Sequence, residues 1–342
     1  MEPGLSPATL SARKFLSRGV TRSLPVVLAC LLSACASTPR PTIAPQPLAQ
    51  HVQPAAPSTM PPAAPRHLKI GLALGGGAAR GFAHIGVIKA LEAHGIHPDL
   101  IVGTSAGSVV GALYASGLSG LQLNRIAISM DEAAISDWAL PFRSRGMLRG
   151  VALQDYVNHL LHNRPIERMP IPLGIVATDL QTGQPILFRR GNTGMAVRAS
   201  SSVPTLFEPV RIAGHDYVDG GLVAPVPAEY ARRMGADFVI AVDISAQPAA
   251  QATGNSLDVL LQTFAIMGQS IKQYELTQNA DVVIRPALAS MRADDFHARN
   301  QAILAGEAAV DRDWPEIERK LANAQGTLNV AATRNNRLAQ SQ

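Results

Sequence analysis

Cysteine and aromatic residues are scarce in this chain of 342 residues. It contains two cysteines, Cys30 and Cys35, and its aromatic residues make up 4% of the sequence. Because both cysteines lie near the N-terminus, the rest of the chain has neither a disulfide framework nor a cysteine-ligated zinc site. His159 and His162 are three residues apart but have no carboxylate partner in register. We therefore predict no metal site and no cofactor.

A strong charge of one sign is also missing from most of the chain. The net charge is +5, but Glu2 and four arginine or lysine residues lie within residues 1–34. Without that segment the net charge is +2. A balance so close to neutral gives little support to nucleic-acid binding, and we expect no nucleic-acid partner.

Residues 1–34 have the order of a secretory signal peptide. Basic residues come first, the apolar stretch Leu24–Leu32 follows, and small residues come last. The stretch is too short to cross a membrane as a helix. The ending Leu32-Ser33-Ala34-Cys35 resembles the bacterial lipobox, which implies cleavage before Cys35 and lipidation of its thiol; an ordinary signal peptide with an incidental cysteine is the alternative. Ala36 is not the aspartate of an inner-membrane retention signal, so the resemblance favours an outer-membrane lipoprotein facing the periplasm.

The remaining sequence divides into three parts. Residues 35–66 contain nine prolines and no acidic or aromatic residue, which predicts a disordered tether. Apolar segments then alternate between strand and helix patterns over residues 67–324, which predicts one α/β domain. Its last elements are expected to be helices at Ser256–Asn279, Phe296–Val310 and Pro315–Asn323. Residues 325–342 are polar and are expected to form a loose tail.

A Gly-x-Ser-x-Gly motif lies at Gly103-Thr104-Ser105-Ala106-Gly107. It follows a short apolar run typical of a buried strand and precedes a helical stretch of small residues that runs to Ala115. This order of strand, turn and helix predicts a nucleophile elbow, in which Ser105 stands exposed at a helix N-terminus. The helix dipole and the first free N–H groups then favour an oxyanion beside it. An ordinary glycine-rich turn with an incidental serine is the alternative.

A second glycine-rich turn precedes this one. Lys69–Leu74 has a strand pattern, Gly75-Gly76-Gly77-Ala78-Ala79-Arg80-Gly81 follows, and a helix pattern covers Phe82–Ala93. Consecutive glycines let backbone N–H groups converge on an anion. The sequence lacks the Gly-Lys-Ser/Thr of a P-loop, and Arg80 replaces a glycine of the dinucleotide fingerprint. An oxyanion hole fits best, since two adjacent parallel strands would bring both turns to one sheet edge.

The partner of Ser105 has two candidates. In a Ser–Asp–His order only His297 follows a suitable acid, but it lies in the charged stretch Asp294–Arg299, which is typical of an exposed helix start. Asp219 ends a short strand and is followed by Gly220 and Gly221. The same three residues are also compatible with a hairpin turn.

Taken together, the glycine loop with Arg80, the Gly-Thr-Ser-Ala-Gly elbow and the Asp219-Gly220-Gly221 segment resemble the bacterial patatin-like phospholipases. The resemblance runs from Lys69 to Asp243 and includes the segment Ala196–Pro204 before the aspartate.

This resemblance implies a three-layer α/β/α fold with a mainly parallel sheet and a Ser–Asp dyad without histidine. It assigns Ser105 as the nucleophile and Asp219 as the general base. The oxyanion hole would be formed by Gly76 and Gly77 and supported by Arg80. The supporting glycines of the three motifs are Gly75, Gly81, Gly103, Gly107, Gly220 and Gly221. Family members often have a further glycine where Ala78 stands.

The resemblance also implies a serine acyl hydrolase that acts on lipid acyl esters at a membrane, with phospholipid or lysophospholipid as the first choice. Because a free aspartate is a weak base, Asp219 is expected to be partly buried and close to Ser105. Two alternatives remain: an esterase or peptidase that uses His297, and a non-catalytic envelope protein. The segment Asp131–Val151, which includes Trp138, could act as a lid, contact a membrane or belong to the core.

Overall fold

The computed structural model describes residues 67–131, 137, 145–245, 254 and 256–340. Its centre is an eight-stranded sheet in which seven strands follow the spatial order β10-β9-β1-β2-β4-β8-β7 and β5 pairs with β4. A separate two-stranded sheet joins β3 and β6. The strands are β1 Ile70–Leu74, β2 Leu100–Thr104, β3 Gly146–Leu148, β4 Leu173–Asp179, β5 Pro185–Phe188, β6 Thr205–Phe207, β7 Val210–Ile212, β8 His215–Asp219, β9 Phe238–Val242 and β10 Val282–Ile284.

Five neighbouring strands of the large sheet, from β10 to β4, are parallel. Strands β5, β7 and β8 run antiparallel to their neighbours and extend the sheet on the β4 side. Strands β1, β2, β4 and β9 are buried along nearly their whole length, which explains why their sequences are almost continuously apolar. The mainly parallel α/β sheet predicted from the sequence is confirmed.

Helices cover both faces of the sheet. They are α1 Phe82–Ala93, α2 Ala106–Ala115, α3 Gly120–Ser129, α4 Val151–Leu160, α5 Thr193–Ser200, α6 Ala228–Arg233, α7 Ser256–Asn279 and α8 Arg299–Gln340. On one face, α1, α2 and α8 pack over alternate sheet residues such as Leu72, Ile101 and Ile240. On the other face, α6 and α7 pack with residues that include Val102 and Val239. The result is three layers, with the sheet between two helical layers.

The C-terminal part differs from its prediction. Helix α8 is continuous from Arg299 to Gln340 and contains Pro315, where the sequence analysis placed two helices and then a loose tail. Pro315 lacks an N–H and therefore removes one helical hydrogen bond, but the helix continues on both sides of it. After Gly326 the sequence consists largely of residues that tolerate a helix, such as Ala331 and Leu338. The residues expected to form a loose tail are thus helical as far as Gln340.

Two short strands were not predicted from the sequence. Gly146–Leu148 and Thr205–Phe207 contain three residues each and pair in parallel with one another. Met147 and Leu148, considered above as part of a lid segment, therefore belong to β3. Within the described part of the chain, no helix is long and apolar enough to cross a membrane.

Candidate active site

Ser105 lies in the turn that joins β2 to α2. Its backbone angles are φ 53° and ψ −124°, a strained conformation for a residue with a side chain. The turn also brings α2 very close to β1: a Cβ atom on Gly107 would lie 2.1 Å from the carbonyl oxygen of Leu74. Only glycine fits at that position, which is the physical reason for the second glycine of the motif.

Two serines hold the strained turn. The Ser105 N–H donates to Ser200 Oγ at 2.8 Å, and Ser200 Oγ in turn donates to the carbonyl of Val176 in β4 at 2.5 Å. Ser108 Oγ donates to the Ser105 carbonyl at 2.6 Å from the first turn of α2. Both serines are fully buried. The backbone of Ser105 is therefore fixed on its N–H and carbonyl sides.

Asp219 contacts Ser105 directly. Ser105 Oγ donates to Asp219 Oδ2 at 2.7 Å, although the two residues are 114 positions apart in the sequence. Asp219 is the last residue of β8, and its carbonyl accepts a hydrogen bond from Thr178 Oγ1 at 2.8 Å. A 3₁₀ turn follows it, and the N–H of Gly221 donates to Asp219 Oδ1 at 2.6 Å. Each carboxylate oxygen thus has one donor.

The environment of the Asp219 carboxylate makes it a stronger base than a free aspartate. Burial raises the pKa of Asp219 to about 6, while the hydrogen bonds from Gly221 and Ser105 act in the opposite direction. The charged form is disfavoured because the carboxylate loses its contact with water. At neutral pH the group is therefore largely ionised and still able to accept a proton from the hydroxyl group of Ser105.

The glycine loop passes beside Ser105. A Cβ atom on Gly76 would lie 3.2 Å from Ser105 Cβ, and the N–H of Gly76 donates to the carbonyl of Pro225 at 3.0 Å. In this structure that N–H is therefore already paired, although the family resemblance assigns it to the oxyanion hole. No atom of the described residues accepts a hydrogen bond from the N–H of Gly77 or Ala78. Ala78 has φ 51°, a backbone conformation that favours the glycine expected at this position.

Buried ionisable side chains support the loop. His84 Nε2 donates to the carbonyl of Gly75 at 2.8 Å, and complete burial lowers the pKa of His84 to about 4, so the imidazole is neutral at pH 7. Arg80 is 8% exposed, and no partner among the described residues binds its Nε. Burial lowers the pKa of Arg80, and the charge of Asp243 opposes that effect.

Asp243 lies directly after β9 and forms ion pairs with two cations. Lys272 Nζ of α7 is 3.1 Å from Asp243 Oδ2, and Arg285 Nε is 3.5 Å from the same oxygen. Lys272 also donates to Ser245 Oγ at 2.5 Å. Arg80 lies near this cluster, which then contains three cations and one anion.

Two cavities meet at Ser105. One, of about 220 Å³, is almost entirely apolar; among its lining residues are Phe82, Val109, Leu123, Tyr156 and Phe207. The other, of about 190 Å³, contains Asp219, Gly77, Arg80 and Lys272 in its walls. The nucleophile therefore stands between an almost wholly apolar space and a second one whose walls also include charged side chains. This arrangement suits an ester with a hydrocarbon chain on one side of its carbonyl and a polar group on the other.

The other residues predicted for the site have different positions. His297 is exposed in a 3₁₀ turn before α8, and within the described part of the chain no histidine hydrogen-bonds to Ser105 or Asp219. The supporting glycines all lie at the sheet edge that contains Ser105, at Gly75, Gly81, Gly103, Gly107, Gly220 and Gly221. Cys35 and Trp138 lie outside the described residues. The described residues contain no group of three or more His, Cys, Asp or Glu side chains suited to a metal ion.

Sequence reasoning did not assign roles to Ser200, His84 or Lys272. Ser200 was within the segment noted before the aspartate, but nothing local indicates that its side chain meets a backbone N–H 95 residues away. The helical spacing of His84 is that of a buried residue, and a basic side chain rarely occupies a buried position unless it is hydrogen-bonded. A histidine at a buried position of this helix was therefore the available signal for its contact with the loop.

Comparison with known protein families identifies the region that contains both Ser105 and Asp219. Residues 72–232 match the family described as "Patatin-like phospholipase". An uncharacterized NTE family protein of Mycobacterium tuberculosis is 37% identical over 185 residues, which are 54% of this chain and 51% of that protein. The chain thus spans about half the length of this relative.

Two longer animal proteins and one solved structure are also similar. Human "Patatin-like phospholipase domain-containing protein 6" is 37% identical over 188 residues, 52% of this chain and 13% of that protein. Rat "Patatin-like phospholipase domain-containing protein 7" is 32% identical over 262 residues, 66% of this chain and 19% of that protein. The crystal structure of VipD from Legionella pneumophila shares the fold, with a TM-score of 0.51, 14% identity and coverage of 72% of this chain and 66% of that one. Residues 72–232, which include Ser105 and Asp219, are thus similar to patatin-like phospholipase domains.

Proposed function

We propose that the protein is a serine acyl hydrolase that cleaves lipid acyl esters through a Ser105–Asp219 dyad. The observation that carries the proposal is the hydrogen bond of 2.7 Å from Ser105 Oγ to a buried carboxylate at the mouth of two cavities. A serine hydroxyl needs a neighbouring base to become nucleophilic, and Asp219 is the group within hydrogen-bond distance.

The proposed cycle has two steps. Ser105 Oγ attacks the ester carbonyl carbon while its proton passes to Asp219, and the N–H groups of Gly77 and Ala78 stabilise the oxyanion. The tetrahedral intermediate collapses, the leaving alcohol takes the proton from Asp219, and an acyl-enzyme remains. Water then loses a proton to Asp219 and attacks the acyl carbonyl, and as the second tetrahedral intermediate collapses Asp219 returns that proton to Ser105 Oγ and the fatty acid is released.

Phospholipid or lysophospholipid is the proposed substrate. The apolar cavity at Ser105 is suited to the acyl chain, and the guanidinium of Arg80 in the wall of the second cavity is suited to a phosphate-containing alcohol. The names of the human and rat relatives point to the same class of substrate. A dyad without histidine is favoured because His297 is exposed and His84 is occupied by the Gly75 carbonyl.

The test is labelling and turnover of the purified chain. We expect a fluorophosphonate probe to label the protein, and Ser105→Ala to abolish both labelling and release of fatty acid from phospholipid vesicles. Ser129→Ala, at the end of α3 and exposed, is the matched control and should behave as wild type. Labelling that persists in Ser105→Ala would contradict the assignment, and cleavage of short soluble esters without vesicle activity would indicate a general esterase.

Location is a separate proposal. We infer from the Leu32-Ser33-Ala34-Cys35 sequence that the mature protein is lipid-anchored at Cys35 in the bacterial envelope, with the outer membrane facing the periplasm as the favoured site. One acyl chain gives only reversible membrane binding, whereas several chains hold a protein stably. Cys35→Ser should therefore move the protein from the membrane fraction to the soluble or unprocessed fraction. A processed mutant that still fractionates with membranes would refute the anchor.

A further inference from the structure

Helix α7 has an outer face without charge. Between Val259 and Asn279 the sequence contains two charged residues, Lys272 and Glu275, and each is only 6% exposed. Large apolar or aromatic side chains instead project from this helix into solvent. They are Val259, Ile266, Met267, Ile271 and Tyr274, with exposed fractions of 51%, 55%, 59%, 37% and 74%.

These five side chains form one stripe. Their spacing of seven, one, four and three residues places them along the same side of a helix with 3.6 residues per turn. The exposed polar residues of this side are Thr263, Ser270, Gln273, Thr277 and Gln278, which are all neutral. We call the ten residues together the outer face of α7.

The opposite side of α7 forms a wall of the second cavity at Ser105. Phe264, Ala265, Gly268 and Lys272 line that cavity together with Asp219. At about 100° per residue, Ala265, Gly268 and Lys272 lie roughly opposite the outer face, and Phe264 lies beside its border. One helix therefore separates the catalytic cavity from an apolar surface.

An ordinary surface helix has a different composition. A helix that packs on a core with one side carries charged residues on its solvent side, and single exposed apolar residues are common. A continuous stripe of apolar residues along four turns, with neutral polar residues between them, is typical of an interaction surface. Moving neutral hydroxyl and amide groups out of water also costs much less than moving charged groups.

We propose that the outer face of α7 seats the domain on the surface of a lipid bilayer. This inference rests on the proposed function, since a lipid hydrolase takes its substrate from such a surface. The occupant is a bilayer because the same helix borders the cavity that would receive the lipid. Contact through the outer face would place the membrane about one helix diameter, roughly 10 Å, from that cavity. A face without exposed charge is compatible with the apolar side of the headgroup layer. Tyrosine is common at that depth because its ring is apolar and its hydroxyl group is polar, so Tyr274 fits this position.

The test compares vesicle and soluble substrates. All samples are the full chain with Cys35→Ser, so that a lipid anchor does not mask contact through α7. The variant combines Ile266→Glu with Met267→Glu, and a milder one combines Ile266→Gln with Met267→Gln. Leu304→Glu on α8 is the matched control, because Leu304 is 63% exposed and lies outside α7.

We expect hydrolysis of a short-chain soluble ester to stay within about twofold of wild type in all variants. Flotation with phosphatidylcholine vesicles and release of fatty acid from them should fall about tenfold or more in the Glu variant, and less in the Gln variant, because buried apolar area is lost. The Leu304→Glu control should float as wild type does. Thermal unfolding and the soluble ester identify any variant that fails to fold, and the Gln variant then decides the outcome.

Three results would overturn the proposal or separate it from the proposed function. Unchanged flotation and vesicle activity in both variants would show that α7 does not contact lipid. A wild-type chain that does not float but sediments as a dimer, and that becomes monomeric in the variants, would make the outer face an interface between copies. If wild type hydrolyses neither ester, the proposed function fails, while flotation still decides whether this face binds lipid.

Discussion

The hydroxyl oxygen of Ser200 accepts a hydrogen bond of 2.8 Å from the backbone N–H of Ser105. Through this contact the last residue of α5 holds the strained turn in which the nucleophile lies. Ser200 Oγ also donates to Val176 in β4, so the turn is tied to the sheet through a single side chain. Ser200 acts on the proposed chemistry through Ser105 and is therefore a positioning residue.

Removal of this hydroxyl group should impair turnover more than binding. In Ser200→Ala the buried N–H of Ser105 loses its acceptor, which costs about 1–3 kcal/mol in general. We expect kcat for a soluble ester to fall about tenfold or more, with KM changed little, because the turn relaxes away from the oxyanion donors. Steady-state kinetics together with thermal unfolding measure both effects. A drop in stability with unchanged kcat would reduce Ser200 to a structural role.

The two candidate partners of Ser105 are separated by a pair of substitutions. Asp219→Asn removes the base but keeps the size of the side chain, and positioned acid–base catalysis contributes typically about 10²–10⁴-fold. We therefore expect kcat/KM to fall by about that factor, whereas His297→Ala should retain wild-type activity because His297 is exposed and makes no hydrogen bond to Ser105 or Asp219. The reverse result would favour a histidine-dependent triad.

The pH dependence follows from the buried carboxylate. Burial raises the pKa of Asp219 to about 6, and the base accepts a proton only when it is ionised. The rate should therefore be low below pH 6, rise as pH increases through about 6, and level off above it. A profile of kcat/KM against pH with a chemically stable ester measures this directly. A limb centred near pH 4 would mean that the carboxylate is solvated in the active enzyme.

Substitutions at two neighbouring positions of the glycine loop should affect activity differently. A Cβ atom on Gly77 would lie 2.8 Å from Ile244 Cδ1 and 2.9 Å from the Ile244 carbonyl oxygen, so Gly77→Ala must displace the loop. We expect it to lose about 10²-fold or more in kcat, comparable to the loss of one oxyanion donor. Ala78→Gly should retain activity, because Ala78 already has the φ of 51° that glycine adopts without strain.

Measurement of kcat for both loop variants on one soluble ester gives the comparison. Thermal unfolding is needed as well, since a displaced loop in Gly77→Ala also loosens its contact with Ile244. Equal activity in the two variants would show that the N–H groups of Gly77 and Ala78 do not stabilise the oxyanion.

Much of the central sheet could be predicted because its signals are local. The helices Phe82–Ala93 and Ser256–Asn279 have the predicted bounds, and the strand predicted at Lys69–Leu74 begins one residue later, since periodic apolar residues and flanking turn residues specify each of them. The short strands β3 and β6 could not be found in this way. They contain three residues each and exist only because they pair with one another over a long sequence separation.

The turns of the site are specified by local sequence. A strand, a glycine-rich turn and a helix follow one another within a few residues at Ser105 and at the loop from Gly75 to Gly81, and each turn requires its glycines for steric reasons that act between near neighbours. Which N–H groups of the loop are free depends on long-range contacts, because the carbonyl of Pro225 accepts a hydrogen bond from the N–H of Gly76. The basicity of Asp219 and the side of α7 that faces solvent also depend on such contacts, since burial depends on elements that are distant in the sequence.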